Sequence, residues 1–222
     1  NQLYDAMAHS ADFRADLVLG VGGYSAGPVC LAAWRAGIPV VLHEQNLLPG
    51  ITNRQLARVA ARVCVSFEAS TVHFPAAKVR LTGNPVRPEI LAAAEAPVVN
   101  GRPFTVLVAG GSQGAHAINL AVQAALPRAR EAAPEMAWIH QTGADDEADL
   151  RAAYARLRLA AEVAAFFDDM WERYRRADLV VCRAGATTLA ELTCMGKAAL
   201  LIPFPHAADN HQELNARALV EA

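Results

Sequence analysis

Along the chain, short apolar runs break at their carboxyl ends into glycine or polar residues and then pass into helix-compatible sequence. The clearest case is Val106-Leu107-Val108-Ala109-Gly110-Gly111-Ser112-Gln113-Gly114-Ala115, which predicts a strand, a tight turn and a helix N-terminus. Residues 16–20, followed by Gly22-Gly23-Tyr24-Ser25-Ala26-Gly27-Pro28 and a helical stretch over 29–36, repeat the arrangement. So do residues 178–182 followed by Arg183-Ala184-Gly185-Ala186-Thr187-Thr188-Leu189-Ala190-Glu191, where Thr187 or Thr188 is placed to cap the helix. Further strands are predicted over 38–42, 63–66, 79–82, 104–109, 136–140, 162–166 and 197–203. Helices are predicted over 52–61, from 113, over 145–157 and after Met170. Strands and helices alternating at this spacing mean parallel sheets with crossover helices. Gly83-Asn84-Pro85-Val86-Arg87-Pro88 interrupts the periodicity, and the Ala- and Pro-rich stretch over 92–103 reads as a linker. The economical architecture is α/β, two Rossmann-like domains facing a cleft: residues 1–84, a linker over 85–103, and residues 104–222.

Composition narrows the classes. A chain of 222 residues that is 54% hydrophobic can bury a substantial core. The formal net charge of -2 exerts no general pull toward nucleic acid. Cys30, Cys64, Cys182 and Cys194 lie far apart in apolar or helical stretches, and read as buried thiols rather than disulfide or metal partners. No apolar run approaches the roughly 20 residues of a spanning helix, so a soluble or peripherally membrane-bound protein is expected. The sequence starts at Asn1 without a methionine and stops at Ala222 in helix-compatible sequence, so it is expected to be an internal fragment with an incomplete N-terminal domain.

The candidate chemistry collects at the carboxyl ends of the predicted strands. Glycine at 110, 111 and 114 lets the backbone approach a ligand closely, and Ser112 with the first helical N–H groups suits a phosphate or diphosphate. The helix dipole adds roughly 0.3–1 kcal/mol for an anion, too little without partners elsewhere. Glu191, about one turn into its helix, reads either as a carboxylate for a ribose diol or as a dipole-compensating residue. His43-Glu44-Gln45-Asn46 ends another strand and shares an edge with the loop Gly22 to Ser25. His206 and His211 lack a third clear ligand, which favours hydroxyl-binding side chains or ordinary loop polarity over a metal. Arg54, Arg58 and Arg62 follow at i, i+4 and i+8, a basic stripe of the kind that is usually a solvated face.

Taken in order, Gly22-Gly23-Tyr24, His43-Glu44-Gln45-Asn46, Gly83-Asn84-Pro85-Val86-Arg87, Gly110-Gly111-Ser112-Gln113-Gly114-Ala115 and Pro205-His206-Ala207-Ala208-Asp209-Asn210-His211-Gln212 resemble the MurG family of peptidoglycan glycosyltransferases, family 28. The resemblance runs over nearly the whole chain. It implies the GT-B fold, an acceptor-binding first domain, and a second domain that binds UDP-N-acetylglucosamine. The implied reaction is transfer of N-acetylglucosamine, with inversion, onto the undecaprenyl-diphosphate-linked muramyl-pentapeptide (lipid I to lipid II). The implied donor contacts are Asn46, Arg87, Ser112, Gln113, Phe167, the segment Ala186, Thr187, Thr188, Leu189, Ala190 and Glu191, and His211 with Gln212. Many relatives carry Gln or a similar residue at the position of His211. Gly22, Gly23, Tyr24 and Ser25 would face the acceptor diphosphate, and His43 is a substitute candidate for the base, because the family's usual histidine precedes Asn1. Neither metal nor cofactor is implied, and nucleic acid is not a partner. The expected location is peripheral, on the anionic cytoplasmic face of the bacterial inner membrane, with Trp34, Leu31 and Arg35 as candidate contacts beside the arginine stripe. By itself the fragment is expected to bind donor without transferring sugar. A UDP-N-acetylglucosamine 2-epimerase of the same fold, or a noncatalytic sugar-nucleotide or lipid-diphosphate binding subunit, are the alternative readings.

Overall fold

The computed structural model describes residues 14–97, 101–111, 114–205 and 210–221. In chain order its elements are β1 (Val18–Gly20), α1 (Ala26–Arg35), β2 (Val40–Glu44), α2 (Ile51–Leu56), β3 (Arg62–Val65), a 3₁₀ turn (Glu68–His73), β4 (Val79–Leu81) and α3 (Pro88–Glu95). There follow β5 (Thr105–Ala109), α4 (His116–Ala132), β6 (Ala137–Gln141), α5 (Glu147–Arg156), β7 (Ala160–Ala164), α6 (Met170–Arg176), β8 (Leu179–Cys182), α7 (Ala186–Cys194), β9 (Ala198–Leu201) and α8 (His211–Val220). They divide into two compact units, one within Asn1–Pro85 and Ala207–Ala222, the other within Val86–His206.

In the first unit the strands form a parallel sheet in the order β1-β2-β3-β4, with Leu42 paired to Val63 and Glu44 to Val65. Cys30 and Ala33, one turn apart on α1, enter the core with Val40, Leu42, Leu56, Val63, Val65 and Phe74. The helix lies close on the sheet at Gly20, where a Cβ would stand 2.7 Å from Cys30 Sγ and 2.9 Å from Leu42 Cδ2. The second unit is a parallel sheet in the order β7-β6-β5-β8-β9. Every residue of β5 is buried. Val106 and Val108 pack with Ile118, Leu126, Leu150 and Tyr154, whereas Leu107 and Ala109 pack with Ile90, Met170, Tyr174 and Leu192. A strand covered on both faces must be apolar at consecutive positions, which is why this run lacks alternation.

The α/β class with parallel sheets is as expected, and several details differ. The stretch read as a linker contains α3, opened by Pro88 at its first turn and buried at Ile90 against the second unit's core, so the units divide between Pro85 and Val86. The helix expected over 52–61 ends at Leu56, because Ala57 and Ala60 turn into the core to bring β3 alongside β2. Arg54 is therefore helical, Arg58 lies in the following turn and Arg62 in β3, so the three share no helical stripe. Strand β2 runs on to Glu44, which puts His43 and Glu44 inside the ladder instead of beyond its end. Gly185 holds the N-cap of α7; Thr187 and Thr188 lie within the helix and do not cap it. The thiols of Cys30 and Cys182 are buried, while Cys64 and Cys194 are half-buried, and all four are free.

The last helix, α8, belongs with the first unit and not with residues 104–205. Its Asn215 is 0% exposed; the side-chain oxygen accepts from Leu47 N–H at 2.9 Å and the amide donates to Asn46 Oδ1 at 3.1 Å. Replacing Asn215 by Ala leaves the half-buried Leu47 N–H without this acceptor and Asn46 Oδ1 without this donor, a loss of about 1–3 kcal/mol. Denaturant unfolding of Asn215→Ala should show that loss, and a midpoint equal to that of the parent chain would mean the amide does not fasten α8.

Candidate functional site

In the second unit the chain leaves β5 outward through β6 and β7, then returns to β8 and β9 on the other side. This reversal between β5 and β8 is a topological switch point, where open α/β sheets leave a crevice beyond the strand ends. Both strands empty there into glycine-rich turns. Gly111 and Gly114 have φ of 96° and 77°, a region L side chains rarely adopt. A Cβ on Gly114 would lie 2.3 Å from Thr142 O, so the turn closes against the end of β6. Ser112 and Gln113 lie outside the described residues, as does His206.

Gln141, buried at the end of β6, joins two parts of this edge. Its Nε2 donates to Gly111 O at 2.9 Å and its Oε1 accepts from Phe167 N–H at 3.0 Å. The Phe167 ring is buried, with the Arg173 guanidinium 4.6 Å above it. Across the switch point, α7 brings Glu191 to a position 7% exposed. Its Oε1 meets Arg87 Nη2 at 3.2 Å, and its Oε2 accepts from the Tyr174 hydroxyl at 3.2 Å. Arg87, at the N-cap of α3, also lies over the Trp171 ring at 5.9 Å. Thr187 stands exposed near the helix start, whereas Leu189 is buried, so any ligand contact at position 189 falls to its backbone.

Beneath the first glycine turn runs a chain of buried polar groups. Asn119 donates from Nδ2 to Thr142 O at 2.8 Å and to Asp146 Oδ2 at 2.6 Å, which leaves its oxygen to accept from His140 Nε2–H at 3.0 Å. His140 Nδ1 accepts from the Tyr154 hydroxyl at 3.1 Å, so the ring is neutral. Asp146, bonded to Asn119 and paired with His116 at 2.9 Å, is held below the usual carboxylate range.

The first unit gathers a second set. Gly22, Gly23 and Tyr24 line a cavity of about 280 Å³ with Glu44, Gln45, Asn46 and the residues of 50–53. Tyr24 is 95% exposed, and Ser25 stands at the N-cap of α1 without a side-chain cap bond. The Glu44 carboxylate is buried among donors: Asn46 N–H at 3.0 Å, Gly50 N–H at 3.2 Å and Asn53 Nδ2 at 2.9 Å. His43 is 7% exposed; its Nε2–H donates to Gly83 O at 3.1 Å and its Nδ1 accepts from Gln45 Nε2 at 3.2 Å. Its basic nitrogen is thus engaged by an amide. His211 and Gln212 open α8 in this same unit.

Arg87, Phe167 and the 186–191 segment therefore share one unit, and Asn46, His211 and Gln212 the other. Gln141, Trp171 and Tyr174 escaped the sequence reading. Gln141 had a signal, a polar residue closing an apolar strand, but Tyr174 and Trp171 look like ordinary helix-face aromatics. A larger cavity, about 560 Å³, lies elsewhere in the first unit between Arg54, Arg58, His73, Ile51 and Phe74. The glycine turns and the carboxylate with its partners lie elsewhere, which makes the switch-point edge the better candidate for chemistry.

The model of the glycosyltransferase family 28 C-terminal domain matches residues 105–222, and that of the family's N-terminal domain matches residues 1–65. The chain is 51% identical over 213 residues to the UDP-N-acetylglucosamine--N-acetylmuramyl-(pentapeptide) pyrophosphoryl-undecaprenol N-acetylglucosamine transferase of Geobacter sulfurreducens, covering 95% of this chain and 58% of that protein. It spans, then, little more than half of that relative's length. The crystal structure of Acinetobacter baumannii MurG is similar with a TM-score of 0.77 at 38% identity, covering 99% of this chain and 62% of that one. A UDP-GlcNAc 2-epimerase from Neisseria meningitidis, bound to UDP-GlcNAc, matches with a TM-score of 0.66 at 14% identity over 94% of this chain and 65% of its own, a likeness of fold alone.

Burial lowers the pKa of His140 to about 4, against about 6.5 when unfolded. The unfolded chain therefore takes up the proton first, and stability present above about pH 6.5 is lost as pH falls toward 4, by about 3 kcal/mol in total. Unfolding free energies measured across that window should fall more steeply for the parent chain than for His140→Gln. Parallel curves would show that His140 takes up its proton as readily folded as unfolded, so that burial does not lower its pKa.

Proposed function

The chain belongs to glycosyltransferase family 28, and on that premise we propose that it binds UDP-N-acetylglucosamine and contributes to inverting transfer of N-acetylglucosamine onto undecaprenyl-diphosphate-linked muramyl-pentapeptide. The observation that carries the reading is the buried Glu191 on α7, paired with Arg87, at the switch point where β5 also empties into its glycine turn. The printed name of the Geobacter sulfurreducens relative supports the choice of donor and acceptor.

In this reading Glu191 accepts both hydrogen bonds from the ribose diol, and Phe167 supplies backbone polarity beside the uracil. Arg87 borders the nucleotide, and Ser112, Gln113 and the N-terminal turn formed by Ala186, Thr187, Thr188, Leu189 and Ala190 face the diphosphate, where helix N-termini stabilise charge. Asn46, His211 and Gln212 serve the donor sugar; Gly22, Gly23, Tyr24 and Ser25 serve the acceptor diphosphate. The acceptor C4 hydroxyl oxygen forms its bond to the anomeric carbon as the bond to the UDP oxygen breaks. UDP leaves with the electron pair and a base takes the hydroxyl proton. His43 can be that base only if Gln45 releases its Nδ1.

The location proposed is peripheral, at an anionic membrane surface. Ile51 and Val72 are exposed apolar residues beside Arg54 and Arg58 at the rim of the larger cavity, and Trp34 is half-exposed on α1. Each arginine near such a surface contributes about 1 kcal/mol. Vesicle sedimentation should show salt-sensitive binding to anionic and not to neutral lipid, reduced about 30-fold per charge reversal in Arg54→Glu and Arg58→Glu, each of which changes the charge by two. Binding that ignores lipid charge would discard this surface.

The reaction is tested by UDP release from UDP-N-acetylglucosamine with a soluble lipid acceptor analogue, for this chain and for a version extended to the length of its relatives. Acceptor-dependent release supports transfer; conversion of the sugar nucleotide without acceptor would replace it with epimerisation, and binding without turnover by either version with a noncatalytic role. Glu191→Ala should weaken UDP binding by about 1.5–3 kcal/mol, the worth of hydrogen bonds to a charged group, in a chain that stays folded at the assay temperature although the unpaired Tyr174 hydroxyl lowers its stability by about 1–3 kcal/mol.

A further inference from the structure

The proposed ribose carboxylate is held from one side by a group that nothing in the sequence marked. Glu191 Oε2 accepts from the Tyr174 hydroxyl at 3.2 Å. An ionised carboxylate only accepts, so the phenol is the donor in this bond. Tyr174 is 3% exposed and sits on α6 with Leu107, Ile90, Met170 and Leu192 around it. Burial and the neighbouring Glu191 charge push its phenol far above its ordinary pKa, so the proton stays on the oxygen at any working pH. A phenylalanine ring would fill the same volume in that core; what the hydroxyl adds is a fixed donor aimed at Glu191.

We propose that Tyr174 is a positioning residue that aims the Glu191 carboxylate at the ribose hydroxyls of a uridine nucleotide. The inference rests on the reading of Glu191 as the ribose contact. A glutamate at the rim of a crevice has rotatable torsions that a ligand would otherwise have to freeze, and a donor locked in the core removes that cost before the ligand arrives. The two partners of the carboxylate differ in kind. Tyr174 is immobilised by packing on every side, whereas Arg87 is exposed, resting over the Trp171 ring at 5.9 Å. Arg87 is thus the partner that can exchange the carboxylate for ligand, and Tyr174 the one that keeps it in register during the exchange. Trp171 and Tyr174 stand three residues apart on α6, so one helix supports both partners.

The experiment compares, by titration calorimetry on the whole chain, UDP with 2′,3′-dideoxyuridine diphosphate, which lacks the diol. The parent chain should prefer UDP. Tyr174→Phe should bind UDP roughly 3- to 10-fold more weakly, the worth of one orienting hydrogen bond, with unchanged affinity for the dideoxy analogue. In a Glu191→Ala background the same change should have no further effect on UDP. Unaltered UDP affinity in Tyr174→Phe, an equal loss for both ligands, or a full loss persisting in the Glu191→Ala background would each overturn the positioning role. A Glu191→Ala chain that still prefers UDP over the analogue would instead remove the reading of Glu191 itself, so the two failures are told apart.

Discussion

A parallel sheet buried on both faces has nowhere to put polar chemistry except at its strand ends. In the second unit β5 carries apolar side chains into two cores at once, and its neighbours β6 and β8 do nearly the same. Whatever binds must therefore bind beyond the carboxyl ends, and the reversal of strand order between β5 and β8 decides which ends. The glycine turn after β5, the start of α7 after β8 and the Glu191 carboxylate all follow from that one constraint.

Polar groups that do enter the interior are satisfied in small networks, each of which fixes a piece of the candidate site. His140, Asn119 and Asp146 hold the Thr142 carbonyl against which Gly114 closes. Gln141 ties the Gly111 carbonyl to the Phe167 amide, so the turn proposed to face the diphosphate and the backbone proposed to lie beside the uracil are set by one side chain. Tyr174 and Arg87 share Glu191. Leaving any of these buried groups unpaired costs about 1–3 kcal/mol, so each network specifies a geometry more strongly than it stabilises the fold. The site's shape is in this sense built from below.

The first unit applies the same rule to a carboxylate that meets no cation among the described residues. Glu44 is buried at the end of β2 and spends its oxygens on N–H donors from residues 46, 50 and 53, which folds the following loop around it. The loop then presents Asn46, whose side-chain oxygen is taken by Asn215 of α8. A residue expected to reach the donor is thus oriented by the last helix of the chain, which also begins with His211 and Gln212.

The α/β class, the order of strands and helices and the position of three glycine-rich turns were legible in the sequence, because apolar runs, glycines and their spacing are local properties. Glu191 was visible as a carboxylate near a helix start, though local pattern left it open between ligand and dipole. Tertiary structure decided what depends on partners far away in the chain. The helix over 52–61 lost its second half because β3 had to reach β2. The stretch 88–95 became a packed helix because Ile90 found a core, and α8 joined the first unit through Asn215. His43 read as a residue at the polar end of its strand and a substitute candidate for the base, and the strand instead carried it into the ladder, buried it and engaged both nitrogens. Tyr174 could not be distinguished from a core aromatic until the fold set its hydroxyl against Glu191, since the partner of a buried polar atom is fixed by packing and not by neighbours in sequence.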